Sequence, residues 1–200
     1  SKASQGGIEF SGQTYHLIGD APAGDPYFYG TKVVISKDKK VLVVGAPSYN
    51  VNCYCPNQQG HEFRGQAYVY RWMQNTSTWD LEARLDDIVP GDIPGYGGDD
   101  NGFIGNKFGR NLHMSPDGDI IVVGSNYSDW ITGDMCVGGW PCNINIPEAG
   151  AAYVFRYDVD HWVFEDVLWA EDHIQESANF GVSTYTDGTK IVVGASYEDP

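Results

Sequence analysis

A chain of 200 residues with 42% hydrophobic and 14% aromatic content has ample material for a packed core, which argues against a disordered segment. A formal net charge of −15 repels a phosphate backbone, so nucleic acid is set aside as a partner; the acidity suits an extracellular protein that stays soluble, takes up Ca²⁺ or meets cationic surfaces. The longest apolar runs are four or five residues, such as Val41 to Val44, so no membrane span is expected, and 25 glycines and 10 prolines predict short strands rather than long helices.

The chain opens on Ser1 with neither an initiator Met nor a hydrophobic signal segment, which reads as a mature or internal start. Residues 1–27 hold two short strand-like runs, Gly7-Ile8-Glu9-Phe10 and Tyr15-His16-Leu17-Ile18. Residues 28–85 begin with Tyr29-Gly30, continue through Val33-Val34-Ile35, turn at Ser36-Lys37-Asp38-Lys39-Lys40, and return along Val41-Leu42-Val43-Val44-Gly45-Ala46-Pro47. A second hairpin follows, from Gly65-Gln66-Ala67-Tyr68-Val69-Tyr70-Arg71-Trp72 through Trp79 to Leu85. After an acidic crossover at 86–107, residues 108–169 repeat the pattern with Phe108-Gly109, Ser115-Pro116-Asp117-Gly118-Asp119, Ile120-Ile121-Val122-Val123-Gly124 and Gly150-Ala151-Ala152-Tyr153-Val154-Phe155-Arg156-Tyr157, then Trp162 and Leu168. Residues 170–200 carry the first hairpin once more, Phe180-Gly181 to Ile191-Val192-Val193-Gly194, with the interval between the glycines two residues shorter.

Each hairpin pairs a strand with a turn rich in Asp, Gly or Lys and a second strand of β-branched residues. An unbroken Val/Ile run marks a strand covered on both faces, as when sheets stack on sheets. Naming the strands of one unit A to D, the chain reads CD, ABCD, ABCD, AB. A repeated four-stranded antiparallel unit predicts an all-β fold of β-propeller blades. About three blades' worth is present, so the expectation is part of a larger propeller whose exposed blade edges are covered by neighbouring blades, other subunits or copies.

The aromatic-Gly entry, the Val44-Gly45-Ala46-Pro47 strand end and the Gly-x-x-Tyr-Val-Tyr/Phe strand resemble the FG-GAP repeats of integrin α-chain propellers over nearly the whole chain. Gly124-Ser125-Asn126 and Tyr29-Gly30 are drifted copies. The resemblance implies a cell-surface adhesion or recognition module. Many such repeats hold Ca²⁺ in an Asp-x-Asp-x-Asp-Gly loop between strands A and B. Here none of the three turns offers three spaced acids, so ordinary hairpins without metal are expected, leaving Asp99, Asp100, Asp158 and Asp160 as the weaker Ca²⁺ candidates.

Antiparallel strands put the B–C and D–A connections on one side and the A–B and C–D turns on the other. Nearly all the excess length lies on the first side, at 46–64, 86–107 and 125–149, read as long loops without strands of their own. That side is the expected ligand-binding face for a protein or glycan. It holds Tyr49, Tyr54, Tyr96, Tyr127, Trp130 and Trp140, aromatics suited to gripping a protein or stacking on sugar rings, or to packing the loops themselves.

Cys53, Cys55, Cys136 and Cys142 lie in the same loops and are read as disulfide formers of an oxidising compartment. Cys136 can close a small loop on Cys142, Cys53 and Cys55 would close a strained ring, and cross-pairing between the loops is the other connectivity. The sequons at Asn75 and Asn126 also point to the secretory pathway. No nucleophile elbow, phosphate loop or His-Glu-x-x-His pattern is present, and the five histidines are scattered, so no enzyme is expected. The alternatives are a structural repeat of a surface filament or sheath and, below it, a propeller glycoside hydrolase.

Overall fold

The computed structural model describes residues 7–10, 13–16, 28–47, 65–86, 107–132, 144–170 and 175–196. Among these the chain is all-β, with fourteen strands and no helix. Strands β1 (Gly7–Phe10) and β2 (Gln13–His16) pair with each other. Strands β3 (Lys32–Ile35), β4 (Val41–Ala46), β5 (Gln66–Met73) and β6 (Thr78–Leu85) form an antiparallel sheet in sequence order. Strands β7 (Asn111–Met114) and β8 (Ile120–Ser125) are followed by a small ribbon, β9 (Trp130–Thr132) with β10 (Ile144–Ile146). Strands β11 (Ala151–Asp158) and β12 (His161–Leu168) then join β7 and β8 in a second sheet of the same order. A closing hairpin joins β13 (Ser183–Thr186) to β14 (Ile191–Gly194).

Every unit enters through the same local device. The amides of Thr31, Arg110 and Val182 donate to the carbonyls of Phe28, Lys107 and Asn179, each at 3.1 Å, closing four-residue turns with the aromatic second and glycine third. Gly109 there has φ 86°, the positive value that the third position of a type II turn requires. The hairpin turns are stapled by a hydroxyl. Ser36 Oγ accepts from the Val41 amide at 3.0 Å and donates to Asp38 Oδ1 at 2.7 Å, and Ser115 does the same with Ile120 and Asp117. The Lys37 amide donates to the Pro116 carbonyl at 2.9 Å, tying the two turns together.

The alternating faces of the Val/Ile strands explain why those runs are unbroken. Val41, Val43 and Val69 of the first sheet pack on Leu112, Met114, Ile121, Val123, Tyr153 and Phe155 of the second, with Phe108 between them and fully buried. The opposite face of the second sheet, through Ile120, Val122 and Val154, meets Phe180, Ile191 and Val193 of the closing hairpin. The opposite face of the first carries Leu42, Val44, Tyr68 and Tyr70. Burial of each such side chain contributes roughly 1.5–3 kcal/mol, so these layers hold the sheets together.

The innermost approach is made by backbone. A Cβ at Gly45 would fall on the Gly109 carbonyl oxygen, and one at Gly124 on that of Gly181. Single parallel bridges, Gly65 to Phe108 and Gly150 to Phe180, seal the same junctions.

Farther out the contact turns polar. The β5–β6 register shifts between Val69 and Tyr70, and that of β11–β12 between Val154 and Phe155, leaving Glu82 and Glu165 as the extra residues of two equivalent bulges. Arg71 clasps Glu82 through Nε at 2.5 Å and Nη2 at 3.0 Å. Across the junction Trp162 Nε1 donates to Glu82 Oε2 at 3.1 Å, and the Arg71 guanidinium lies 4.5 Å from the Tyr157 ring centre. Arg156 and Glu165 repeat the ion pair in a more exposed setting.

Gly124→Val has no room to relax against backbone and is expected to lower unfolding stability by more than about 3 kcal/mol, read from the urea midpoint. Glu82→Ala strips a half-buried guanidinium and an indole N–H of their shared acceptor and should cost about 2 kcal/mol in the same assay. Glu165→Ala, at the exposed copy, should leave the midpoint within error.

Candidate functional site

Strand pairing sorts the connections by side. The turns at 36–40, 74–77, 115–119, 159–160 and 187–190 are tight, whereas the connections at 47–65, 86–110, 126–150 and 169–182 emerge from the other ends of the strands. Of the aromatics expected on the long-connection side, Tyr127 is placed with its side chain, Trp130 starts β9 with only its backbone described, and Tyr49, Tyr54, Tyr96 and Trp140 lie outside the described residues. So do Cys53, Cys55, Cys136 and Cys142, and Asp99 and Asp100. The connection at 125–149, expected to lack strands, contains the β9–β10 ribbon, in which Trp130 pairs with Ile146 and Thr132 with Ile144. Trp-Ile-Thr and Ile-Asn-Ile are good strand formers, and two runs of three residues can support each other only as a pair.

The ribbon stands on a tightly bonded base. Asn126 is buried and its Nδ2 donates to Asn179 Oδ1 at 3.0 Å. Asn179 Nδ2 donates to the Ser177 carbonyl at 2.7 Å, and its amide to the Glu148 carbonyl at 3.0 Å. The Glu148 amide donates to Asp129 Oδ1 at 2.9 Å, and buried Ser128 Oγ bonds Ser125 Oγ at 2.8 Å. These bonds lock the connection at 126–150 to the one that enters the third unit.

Beside this base Tyr127 is half-buried under two cations. Lys107 Nζ sits 3.8 Å from its ring centre and the Arg110 guanidinium 5.8 Å away. Both cations come from the x-aromatic-Gly turn that opens the second unit, so the same turn that sets the sheet junction also presents them. In a chain of net charge −15 this is a local positive corner. The electron-rich ring face holds the two cationic groups close together, and their charges can meet an anionic group. Repeat alignment stresses the aromatic-Gly pair and passes over the lysine and arginine that flank it, which is why sequence reading left them out.

The other polar groups are absorbed by structure. Hydrogen bonding from the Ser36 hydroxyl holds the Asp38 carboxyl below its ordinary range, and Ser115 does the same for Asp117. These carboxylates staple their own turns. Asp158 is exposed at the end of β11 and Asp160 in the β11–β12 turn, where its Oδ1 lies 2.9 Å from His161 Nδ1. Among the described residues no three His, Cys, Asp or Glu side chains are grouped to hold a metal ion. His113 is pushed below its usual range by burial and by the Lys32 charge. Its Nδ1 accepts the Thr186 amide at 3.1 Å and its half-buried ring lies 4.6 Å from that of Tyr185, a structural contact between the second sheet and the closing hairpin.

The two sequons differ sharply. Asn75 sits exposed in the β5–β6 turn, on the side away from the long connections, whereas the Asn126 amide nitrogen is buried and engaged with Asn179. A glycan on Asn126 would require that nitrogen and its bond. Comparison with protein-family models and with curated proteins finds no match to this chain.

Secretion through a glycosylating pathway is expected to modify Asn75 and leave Asn126 bare, which intact-mass and peptide mass spectrometry would read directly.

Proposed function

We propose that the chain is a run of FG-GAP-like β-propeller blades and that it serves outside the cell as an adhesion or recognition module, binding a protein or glycan through its long-connection side. Two features support the blade reading: successive four-stranded antiparallel sheets stack face to face, and each is joined to the next by an aromatic-Gly turn set against a glycine of the preceding unit. The observation that carries the functional reading is the one-sided distribution of chain. Five tight turns lie at one set of strand ends, and the long connections leave from the other set, where the described residues place the Tyr127–Lys107–Arg110 corner and the β9–β10 ribbon.

The chemistry of that corner favours ligands bearing carboxylate, sulfate or hydroxyl groups, such as acidic glycans or acidic protein loops. A catalytic role finds little support among the described residues, because His113 and the turn aspartates are engaged in structural hydrogen bonds.

The test joins β9 directly to β10 by a two-residue turn in place of residues 133–143, which keeps the bonded base, and combines this with Lys107→Ala. Both proteins are assayed on a printed glycan array and a panel of purified extracellular matrix glycoproteins. Binding by the unaltered chain that weakens tenfold or more in the variant is expected. Equal binding, or none by the unaltered chain, overturns the proposal.

A further inference from the structure

The seam between the second sheet and the closing hairpin carries a titratable group at a place where the preceding seam has an apolar one. Side-chain hydrogen bonds cross from β7 to the chain at 182–186. Asn111 Nδ2 donates to the Val182 carbonyl at 2.9 Å, Thr184 Oγ1 donates to Asn111 Oδ1 at 3.3 Å, and the Thr186 amide donates to His113 Nδ1 at 3.1 Å. The two bonds through Asn111 are indifferent to mild acid, because a carboxamide does not titrate there. The bond to His113 is not. In the first unit the place of His113 is taken by Val34, which packs against the apolar core and has no proton to gain.

An imidazole accepts at Nδ1 only while neutral, with its proton on Nε2. The imidazolium carries a hydrogen on both nitrogens and would set one of them against the Thr186 N–H. Thr186 is 1% exposed, so the amide that loses its acceptor has little access to water as a substitute. The ring itself is half-buried, with Tyr185 facing it from β13 and Val122 paired opposite it on β8. Among the described residues the charge that bears on it is that of Lys32 on β3. Burial first, and then this like charge, hold His113 below its usual range.

We propose that His113 makes this seam a pH-sensitive switch: protonation turns Nδ1 from acceptor to donor, breaks the bond from the Thr186 amide and loosens the β13–β14 hairpin from β7. With the hairpin released the ring titrates near the ordinary imidazole pKa of about 6.5, and with it docked only below that, so the seam is fully formed above this value and weakens as pH falls through it. The hairpin is entered through Asn179, to which Asn126 is bonded at the foot of the β9–β10 ribbon, so the seam and the long-connection side share an anchor. The switch does not depend on what that side binds.

Hydrogen exchange read by mass spectrometry on the 200-residue chain provides the test, with labelling times scaled for the intrinsic rate at each pH. Between about pH 7.5 and about pH 5.5, peptides covering 183–194 are expected to lose protection roughly fivefold, while those covering β3 and β4 hold theirs. His113→Asn, which keeps an oxygen acceptor beside the amide and does not titrate, should retain its neutral-pH protection in acid, with an unchanged far-UV circular dichroism spectrum. Lys32→Met leaves the imidazole in place and removes the like charge, so the loss should begin at higher pH; this arm decides if His113→Asn fails to fold. Equal protection at both pH values in the unaltered chain, the same acid loss in His113→Asn, or an unmoved onset in Lys32→Met overturns the proposal.

Discussion

The closest approach between the sheets is a backbone contact that only glycine permits. At Gly45 against Gly109, and again at Gly124 against Gly181, a carbonyl oxygen occupies the volume a Cβ would need. No side-chain rearrangement can relieve such a clash, so both partners of the junction are fixed at once. The same carbonyl belongs to a turn whose third residue has positive φ, and glycine is therefore demanded there a second time, for conformation. Around this point Phe108, Leu112 and Val123 pack with Tyr153 and Phe155, and Trp162 lies against the same cluster.

The outer edge answers the glycine contact with a directional one. The bulge places Glu82 where Arg71 and Trp162 can both reach it, so an ion pair within one sheet acquires a hydrogen bond from the next. Burial works against the Arg71 charge, but the Glu82 carboxylate outweighs it and the guanidinium pKa is raised. An exposed ion pair contributes little, while one partly desolvated and shared with an indole N–H fixes how far the sheets can rotate about their inner junction.

The strands were legible in the sequence because their signals are local. Aromatic-Gly, β-branched runs and polar turns each depend on a few adjacent residues, and β3, β4, β7, β8, β13 and β14 fall within the hairpins these signals predict. The Glu82 and Glu165 contacts were not, since a bulge inserts one residue and reverses the face of everything beyond it, a change that strict alternation cannot anticipate. The β9–β10 ribbon escaped for another reason: each strand is three residues long, shorter than any window in which periodicity can be recognised. Asn126 shows a third kind of failure. A sequon is a linear pattern, and nothing linear tells that this asparagine is turned inward to meet Asn179, 53 residues away.

The contrast between the two sides of the stack follows from the same constraints. On the tight-turn side Ser36 and Asp38, and likewise Ser115 and Asp117, are consumed by their own hairpins, and the Lys37 amide reaches the neighbouring turn, so length and composition have little freedom there. On the other side only the last three residues before each A strand are dictated, by the entry turn and its glycine. The stretches that join a B strand to its C strand, or a D strand to the next entry turn, carry the variation in length that a hairpin turn cannot, because loop-closure entropy rises slowly with length. Lys107 and Arg110 flank the dictated pair but are not part of the Gly–Gly contact, so they can vary in chemistry while their positions stay fixed. The binding side we propose thus rests on a turn whose position is fixed by the core, beside connections whose length the core does not dictate.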